Sequence, residues 1–170
     1  MAAHQHALVT AHPTPPLPGA LGSAPFDQEG VATVACDLVT DGVLQHYVLD
    51  SYAGRKLDLP STGNAGGVHN LTIEPGEQDL DALIARMDTG VLIADLMGMG
   101  VSIVTGDYSR GASGFWGENG EIQYPIQEFT IAANLKTMFR ELVAIGSDVD
   151  TRGNTRTGSV LLAPMTVAGQ

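Results

Sequence analysis

The chain has 170 residues, 44% of them hydrophobic, and its 19 acidic and 8 basic side chains give a net charge of −11. That length fits one domain or at most two small ones. The basic residues form no run longer than the pair Arg55-Lys56, so we expect no direct binding to nucleic acid, which depends on clustered cations. No apolar stretch is long enough for a membrane-spanning helix. The single cysteine, Cys36, excludes an internal disulfide framework.

The first 24 residues differ in composition from the rest. Because residues 12–19 (HPTPPLPG) are rich in proline, which lacks an amide donor, they are unsuited to a helix or a central strand. We therefore interpret residues 1–24 as an extended, proline-rich arm whose histidines, His4, His6 and His12, could bind a metal only loosely. Residues 25–170 are expected to form one β-rich domain.

A first hairpin is predicted at Asp41-Gly42, a strong two-residue turn signal. In that register, positions whose numbers sum to 83 pair, so Cys36 and His46 point to opposite faces and cannot share a metal. Cys36 is then most simply a small core residue. Residues 61–67 are predicted to form a flexible turn and residues 68–73 a strand.

The next segments alternate between helix and strand patterns. A helix is predicted where Leu80, Leu83, Ile84 and Met87 share one stripe, with Gly90 placed to end it. Residues 91–96 and 101–105 read as strands.

The last third of the chain contains a second hairpin and a second helix. The hairpin centres on Asn119-Gly120, with Phe115 opposite Tyr124 and Glu118 opposite Glu121. The helix is predicted near residues 133–145, and residues 159–167 close the chain as a strand. The inward side chains of this predicted helix would be Leu135, Met138, Phe139 and Leu142. The element order favours an α+β fold with a mostly antiparallel β-sheet, barrel-like or sandwiched, and about two helices.

No complete catalytic motif is present. The chain lacks the HExxH or HExxxH helix of a zinc hydrolase, the GxSxG elbow of a serine hydrolase, and a phosphate-binding loop. Two polar clusters beside glycine-rich bends are candidates for a cleft lining or a subunit contact, although turn chemistry and a local ion pair would also explain them. Their members are Asn64, His69 and Asn70 in the first cluster and Asp107, Ser109 and Arg110 in the second.

Several longer runs resemble signatures of the PmbA (TldE) family. They include residues 24–31 (APFDQEGV), residues 61–70 (STGNAGGVHN) and residues 105–111 (TGDYSRG), followed by residues 114–122 (GFWGENGEI). The resemblance extends in order from about residue 12 to residue 170. Family members are more than twice as long, so this chain resembles only their β-rich C-terminal half and is expected to be a fragment or a truncated form.

The resemblance implies a function within a larger assembly. TldD and PmbA proteins form a cytoplasmic bacterial heteromeric metalloprotease that trims unfolded peptides. In TldD, zinc is held by an upstream HExxxH helix and a cysteine near the C-terminus. The corresponding loop here, residues 151–156, has no cysteine, so we expect a PmbA-type subunit without its own zinc, beside a TldD-like partner that holds the metal.

A second hypothesis remains open. Family members are also named modulators of DNA gyrase, so the chain could instead be a non-enzymatic interaction module that contacts gyrase or another protein.

Overall fold

The computed structural model describes residues 10–13 and 17–169, which divide into two compact units. Unit 1 comprises Met1–Pro75 and Asp148–Gly158, and unit 2 comprises Gly76–Ser147 and Ser159–Gln170. In chain order the elements are β1 (Ala11–Pro13), β2 (Val39–Thr40), β3 (Val43–Leu44), α1 (Ser51–Leu57), β4 (Leu71–Ile73), α2 (Leu80–Met87), β5 (Gly90–Met97), β6 (Asp107–Glu118), β7 (Glu121–Asn134), α3 (Leu135–Arg140), β8 (Leu142–Ile145), β9 (Thr155–Arg156), β10 (Val160–Leu162) and β11 (Thr166–Ala168). The predicted α+β class with mostly antiparallel pairing is confirmed, with three helices in the described part of the chain and open sheets, none closed into a barrel.

Unit 1 contains a five-stranded sheet in the order β3-β2-β1-β4-β9, in which only the β4–β9 pair is parallel. The hairpin at Asp41-Gly42 is confirmed, because both turn residues have positive φ and Val39 pairs with Leu44. A positive φ at both central positions is the turn geometry that matches the strand twist.

The predicted extension of this hairpin is wrong. The amides of Gln45 and His46 both donate to the carbonyl of Leu38, at 2.8 and 3.5 Å, so the ladder loses its register just beyond β3. Cys36 lies outside the strands and is half-buried, and the imidazole of His46 contacts the carbonyl of Asp37. The assignment of Cys36 and His46 to opposite faces therefore has no basis in the observed pairing.

The proline-rich stretch does contribute a central strand, contrary to prediction. Ala11 pairs with Val39 on one side and Ile73 on the other, which places β1 in the middle of the sheet. Pro13 is the last residue of β1 and pairs only with Leu71, so its missing amide interrupts no second ladder. His4 and His6 lie outside the described residues, and the boundary at residue 24 remains a prediction.

The strand predicted at residues 68–73 shortens to β4, and the prediction missed helix α1. The carboxylate of Asp50 caps α1 by accepting from the amide of Ala53 at 2.6 Å. Gly54 is required inside the helix because a Cβ there would lie 2.8 Å from the carbonyl oxygen of Leu59.

Unit 2 contains a four-stranded antiparallel sheet in the order β11-β7-β6-β5 and the separate pair β10–β8. Its buried core comprises Ala112, Phe129 and Ile131. Helix α2 is confirmed and is capped by Asp79, but it ends at Met87, and Gly90 instead begins β5.

Two predictions in unit 2 are wrong because tertiary pairing overrides the local pattern. Residues 101–105 form turns with one bridge from Val101 to Tyr108, rather than a strand. The helix predicted at residues 133–145 divides into the short α3 and strand β8, because residues 142–145 pair with β10. Leu142 is buried as predicted but lies on a strand, while Phe139 is exposed.

The hairpin at Asn119-Gly120 is confirmed, and Glu118 faces Glu121 as predicted. A register shift between Trp116 and Gly117 then changes the pairing by one residue. Phe115 therefore lies opposite Pro125 rather than Tyr124. Such a bulge adds a residue to one strand, and the alternating pattern alone does not reveal it.

Candidate functional site

In unit 1 the segment that contains Asn64 lies beside a buried carboxylate, that of Asp27, which was not among the predicted site residues. Asp27 accepts three backbone hydrogen bonds, each of 2.9 Å, from the amides of Glu29, Val31 and Ala65. Burial raises the pKa of Asp27, but the three amides outweigh burial and leave its pKa below the usual value. The available signal was an Asp three residues before a glycine, which is typical of an Asx turn.

Asn64 makes local hydrogen bonds, whereas Asn70 connects two segments of the same unit. The amide of Asn64 donates to the backbone oxygen and the hydroxyl of Thr62. Asn70 is almost fully buried; its side chain accepts from the amide of Gly22 and donates to the hydroxyl of Ser23, both at 3.0 Å. These contacts hold residues 22–23 beside β4, which is a structural role.

His69 lies next to this network. Its Nδ1 donates to the carbonyl of Gly22 at 3.2 Å, so the Nε2 nitrogen is left as an acceptor. That Nε2 is buried and has no hydrogen-bond partner among residues 10–13 and 17–169. The structure thus brings His69 and Asn70 together around Gly22.

In unit 2 the structure separates the second predicted cluster into two faces of β6. Asp107 accepts from the hydroxyl of Thr105 at 2.6 Å, and the exposed Ser109 follows two residues later on the same side of the strand. Arg110 points to the other side and donates to the carbonyls of Leu96 and Met97, at 3.1 and 3.5 Å. Arg110 therefore braces the end of β5, and Asp107 does not pair with it.

Strand β5 is the other notable feature of unit 2. It forms one edge of the four-stranded sheet and pairs on one side only, with β6, within the part of the chain that the structure describes. Its eight residues would extend about 27 Å. Asp95 is its only charged residue, so apart from a bulge at Ala94 the edge has few of the features that usually prevent pairing.

A concave surface lies on each face of this edge. One is a shallow hollow of about 360 Å³ lined by Ala94, Phe115 and Pro125. It lies near Ser113, where the pairing of β6 with β5 and the pairing of β6 with β7 both shift register. The other is a mostly apolar cavity of about 700 Å³ that includes side chains of α2 and β5. Among its lining residues are Leu83, Met87, Val91, Ile93, Leu96 and Trp116.

No group of three or more His, Cys, Asp or Glu side chains among residues 10–13 and 17–169 is arranged to hold an ion. Burial, aided by the charge of Asp37, raises the pKa of the Cys36 thiol and so disfavours the thiolate that binds metals.

In the loop of residues 151–156, Arg152 donates to Asp150 at 2.8 Å, and this contact lowers the pKa of Asp150 to about 2.

Comparison with known proteins identifies the family. Residues 4–169 match the model of the PmbA/TldA metallopeptidase C-terminal domain. The chain belongs to the PmbA/TldD family. Metalloprotease PmbA from Escherichia coli O157:H7 is 52% identical over 162 residues, which are 95% of this chain and 36% of that protein. The chain thus spans about a third of the length of the curated relatives it matches.

Solved structures and a more distant relative extend the comparison. A Bacteroides thetaiotaomicron protein described as a modulator of DNA gyrase matches with a TM-score of 0.89 and 32% identity, over 99% of this chain and 38% of its own. TldE from Thermococcus kodakarensis shares the fold, with a TM-score of 0.81 and 24% identity, over 97% of this chain and 40% of its own. A metalloprotease TldD homologue from Buchnera aphidicola subsp. Schizaphis graminum is 25% identical over 139 residues, 75% of this chain and 29% of its own length.

A protein named for TldD thus matches this domain in sequence, and TldE matches it in fold. None of the described helices is long and apolar enough to cross a bilayer.

Proposed function

We propose that this domain is the C-terminal part of a PmbA/TldE-type subunit, which works with a TldD-type subunit in a cytoplasmic metalloprotease that hydrolyses unfolded peptides. The observation that carries the proposal is the match of nearly the whole chain to the metallopeptidase family, with PmbA metalloproteases among its relatives. We expect the zinc to lie in the TldD-type partner, and we derive no hydrolytic step through the residues of this chain.

The role we assign to this domain is to line the peptide chamber and hold the peptide in an extended form. The outer edge of β5 supports this role, because it pairs with no other strand among the described residues and its backbone can accept a peptide as an added strand. Main-chain pairing of this kind is independent of sequence, which suits a hydrolase of unfolded peptides.

The two concave surfaces support the same role. Side chains of an added strand alternate between the two faces of the sheet. One set would point toward the apolar cavity beside Val91 and Ile93, and the other toward the hollow beside Ala94 and Phe115. Both surfaces have room for side chains of varied size, and neither carries a dense charge.

Arg110 gives the proposal a specific test. Its guanidinium holds the carbonyls at the end of β5, so Arg110→Met should loosen the edge and weaken peptide binding by roughly tenfold, equivalent to about one charge-assisted hydrogen bond. The matched control is Arg140→Met, since Arg140 is exposed at the end of α3. Peptide affinity would be measured by fluorescence anisotropy with the full-length subunit and its TldD-type partner.

Asp107→Asn completes the experiment, because Asp107 fixes the loop that follows β5 through Thr105. If peptide affinity and assembly stay at the wild-type level in both the Arg110 and the Asp107 variants, the peptide-holding role is wrong. A pull-down from lysate addresses the alternative function. Recovery of gyrase without a TldD-type chain would favour the interaction module, which the metalloprotease names of the curated relatives do not favour.

A further inference from the structure

Strand β1 connects the two halves of the five-stranded sheet in unit 1. It has only three residues, and the hairpin β2–β3 lies on one side of it while the pair β4–β9 lies on the other. At its edges the amide of Leu38 donates to the carbonyl of Ala11 at 2.9 Å, and the amide of Glu74 donates to the carbonyl of Thr10 at 3.0 Å. Pro13, at its end, has no amide hydrogen to donate. A side-chain link across so short a strand therefore affects how the whole sheet is held together.

His12, the middle residue of β1, provides such a link. Its Nδ1 lies 2.5 Å from Oδ1 of Asp37, which comes shortly before β2, and its Nε2 lies 3.1 Å from Oε1 of Glu74, which follows β4 directly. Each ring nitrogen thus faces a carboxylate from a different side of β1. The imidazole bridges the two segments that flank its own strand.

The bridge requires two ring protons. An imidazolium donates through both nitrogens, whereas a neutral imidazole has one N–H and one lone pair. When His12 is neutral, one of the two carboxylates must face a lone pair, and that contact becomes repulsive. Because the carboxylate of Asp37 is the nearer one, the remaining proton stays on Nδ1. Glu74 is then the partner that loses its hydrogen bond.

We propose that His12 is a proton-operated clasp that ties β4 to β1 when it is protonated and releases β4 when it is neutral. Among the described strands β9 pairs only with β4, so the release also loosens β9 from the rest of the sheet. The hydrogen bond to Asp37 raises the pKa of His12. The clasp is therefore closed below about pH 6.5 and opens as the pH rises through the pKa of His12 in the folded state. This device belongs to unit 1 and is independent of the proposed function.

Other ionisable groups on both sides of β1 have to be separated from His12 in any pH experiment. They are Asp37, Cys36, Asp41 and His46 on the side of β2, and Glu74 on the side of β4. His46 titrates in the same pH range as His12, and its ring contacts the backbone carbonyl of Asp37 at 2.8 Å. It is the group whose contribution a control variant has to remove.

Hydrogen–deuterium exchange with mass spectrometry, applied to the full-length subunit at about pH 5.5 and about pH 9, measures the release of β4. We compare peptides that cover residues 70–76 and residues 36–41, each corrected for the intrinsic exchange rate at that pH. Protection of residues 70–76 should fall by roughly fivefold, which corresponds to the loss of one exposed ion pair. Residues 36–41 should lose less, because Nδ1 of His12 still donates to Asp37. Equal losses in the two segments, or protection that does not change with pH, would overturn the proposal.

Three variants assign the effect to the clasp. Glu74→Gln should abolish the pH dependence of residues 70–76, because an amide side chain can accept from the imidazolium and can also donate to the neutral ring. Glu77→Gln is the matched control, since Glu77 is another exposed carboxylate close by in the chain. This control and His46→Gln should both keep the pH dependence. If the effect persists in Glu74→Gln or disappears in His46→Gln, His12 is not the clasp.

Discussion

Gly114 of β6 lies directly against the backbone of β5, and its replacement by alanine should be among the most damaging small changes in unit 2. A Cβ at this position would lie 1.9 Å from the carbonyl oxygen of Leu92, and its next contacts are also backbone atoms of β5. Because atoms this close must separate by more than 1 Å, β5 and β6 would have to move apart at Gly114 and Leu92. The matched control is Gly111→Ala in the same strand, where the nearest atom to an added Cβ is 3.6 Å away, on Met97.

The magnitude follows from the contacts that would be lost. About two backbone hydrogen bonds at ~1 kcal/mol each, plus strained packing of β5 at ~1–3 kcal/mol, exceed the ~0.5–1 kcal/mol gained by removing a glycine from the unfolded chain. We therefore expect Gly114→Ala to lower the free energy of unfolding by about 2–4.5 kcal/mol. Gly111→Ala should stay within about 1 kcal/mol of wild type.

Urea unfolding monitored by the fluorescence of Trp116 measures this difference, since Trp116 is the only tryptophan of the chain and lies in β6. A Gly114→Ala variant within 1 kcal/mol of wild type would refute the reasoning. So would a Gly111→Ala variant that is less stable than the Gly114→Ala variant.

Three further predictions concern other positions. Glu128 has a φ of 58°, a conformation that costs a residue with a side chain ~1–2 kcal/mol. Glu128→Gly should therefore raise the free energy of unfolding in urea by about 0.5 kcal/mol, once the entropy cost of glycine is subtracted. A lower free energy of unfolding would contradict this prediction. A hydrogen bond to Asp37 raises the pKa of His12; burial lowers this pKa, and a hydrogen bond to Glu74 raises it further. The protonated His12 therefore stabilises the fold fully below about pH 6.5, and this stabilisation is lost as the pH rises through the pKa of His12 in the folded state. His12→Gln should thus lower the urea midpoint more at pH 5.5 than at pH 9, and equal losses would exclude this mechanism. Asp79→Ala removes the α2 cap and should cost about 1 kcal/mol in thermal unfolding, with no change if the cap is unimportant.

The sequence predicted those parts of the fold that local chemistry determines. Asp41-Gly42 and Asn119-Gly120 both form the expected turns because each pair tolerates positive φ at both positions. Helix α2 was predictable because its apolar stripe and its capping residue, Asp79, agree.

The errors occur where distant pairing determines the structure. Residues 142–145 have a pattern compatible with a helix, but strand β10, far along the chain, pairs with them. Likewise, a proline-rich segment becomes a central strand because β2 and β4 lie on either side of it. A single sequence does not encode these partners in any local pattern.

The candidate site was predictable only in part. His69 and Asn70 lie together because they are neighbours in the chain. Asp27 was not identified: two of its amide donors lie within four residues, but the third, Ala65, is 38 positions away and has no local signal. Arg110 was among the predicted site residues, but its partners are backbone carbonyls of β5 rather than Asp107. An alternating strand places Asp107 and Arg110 on opposite faces, and that geometry required knowledge of where β6 begins.

Native mass spectrometry of the full-length subunit, coexpressed with its TldD-type partner, tests the central claim most directly. It reports in one spectrum which subunits associate and which of them carries zinc. We expect a complex of the two different subunits in which the metal remains with the TldD-type chain after the subunits are separated in the gas phase. Zinc retained by the subunit described above, or two subunits that do not associate, would contradict it.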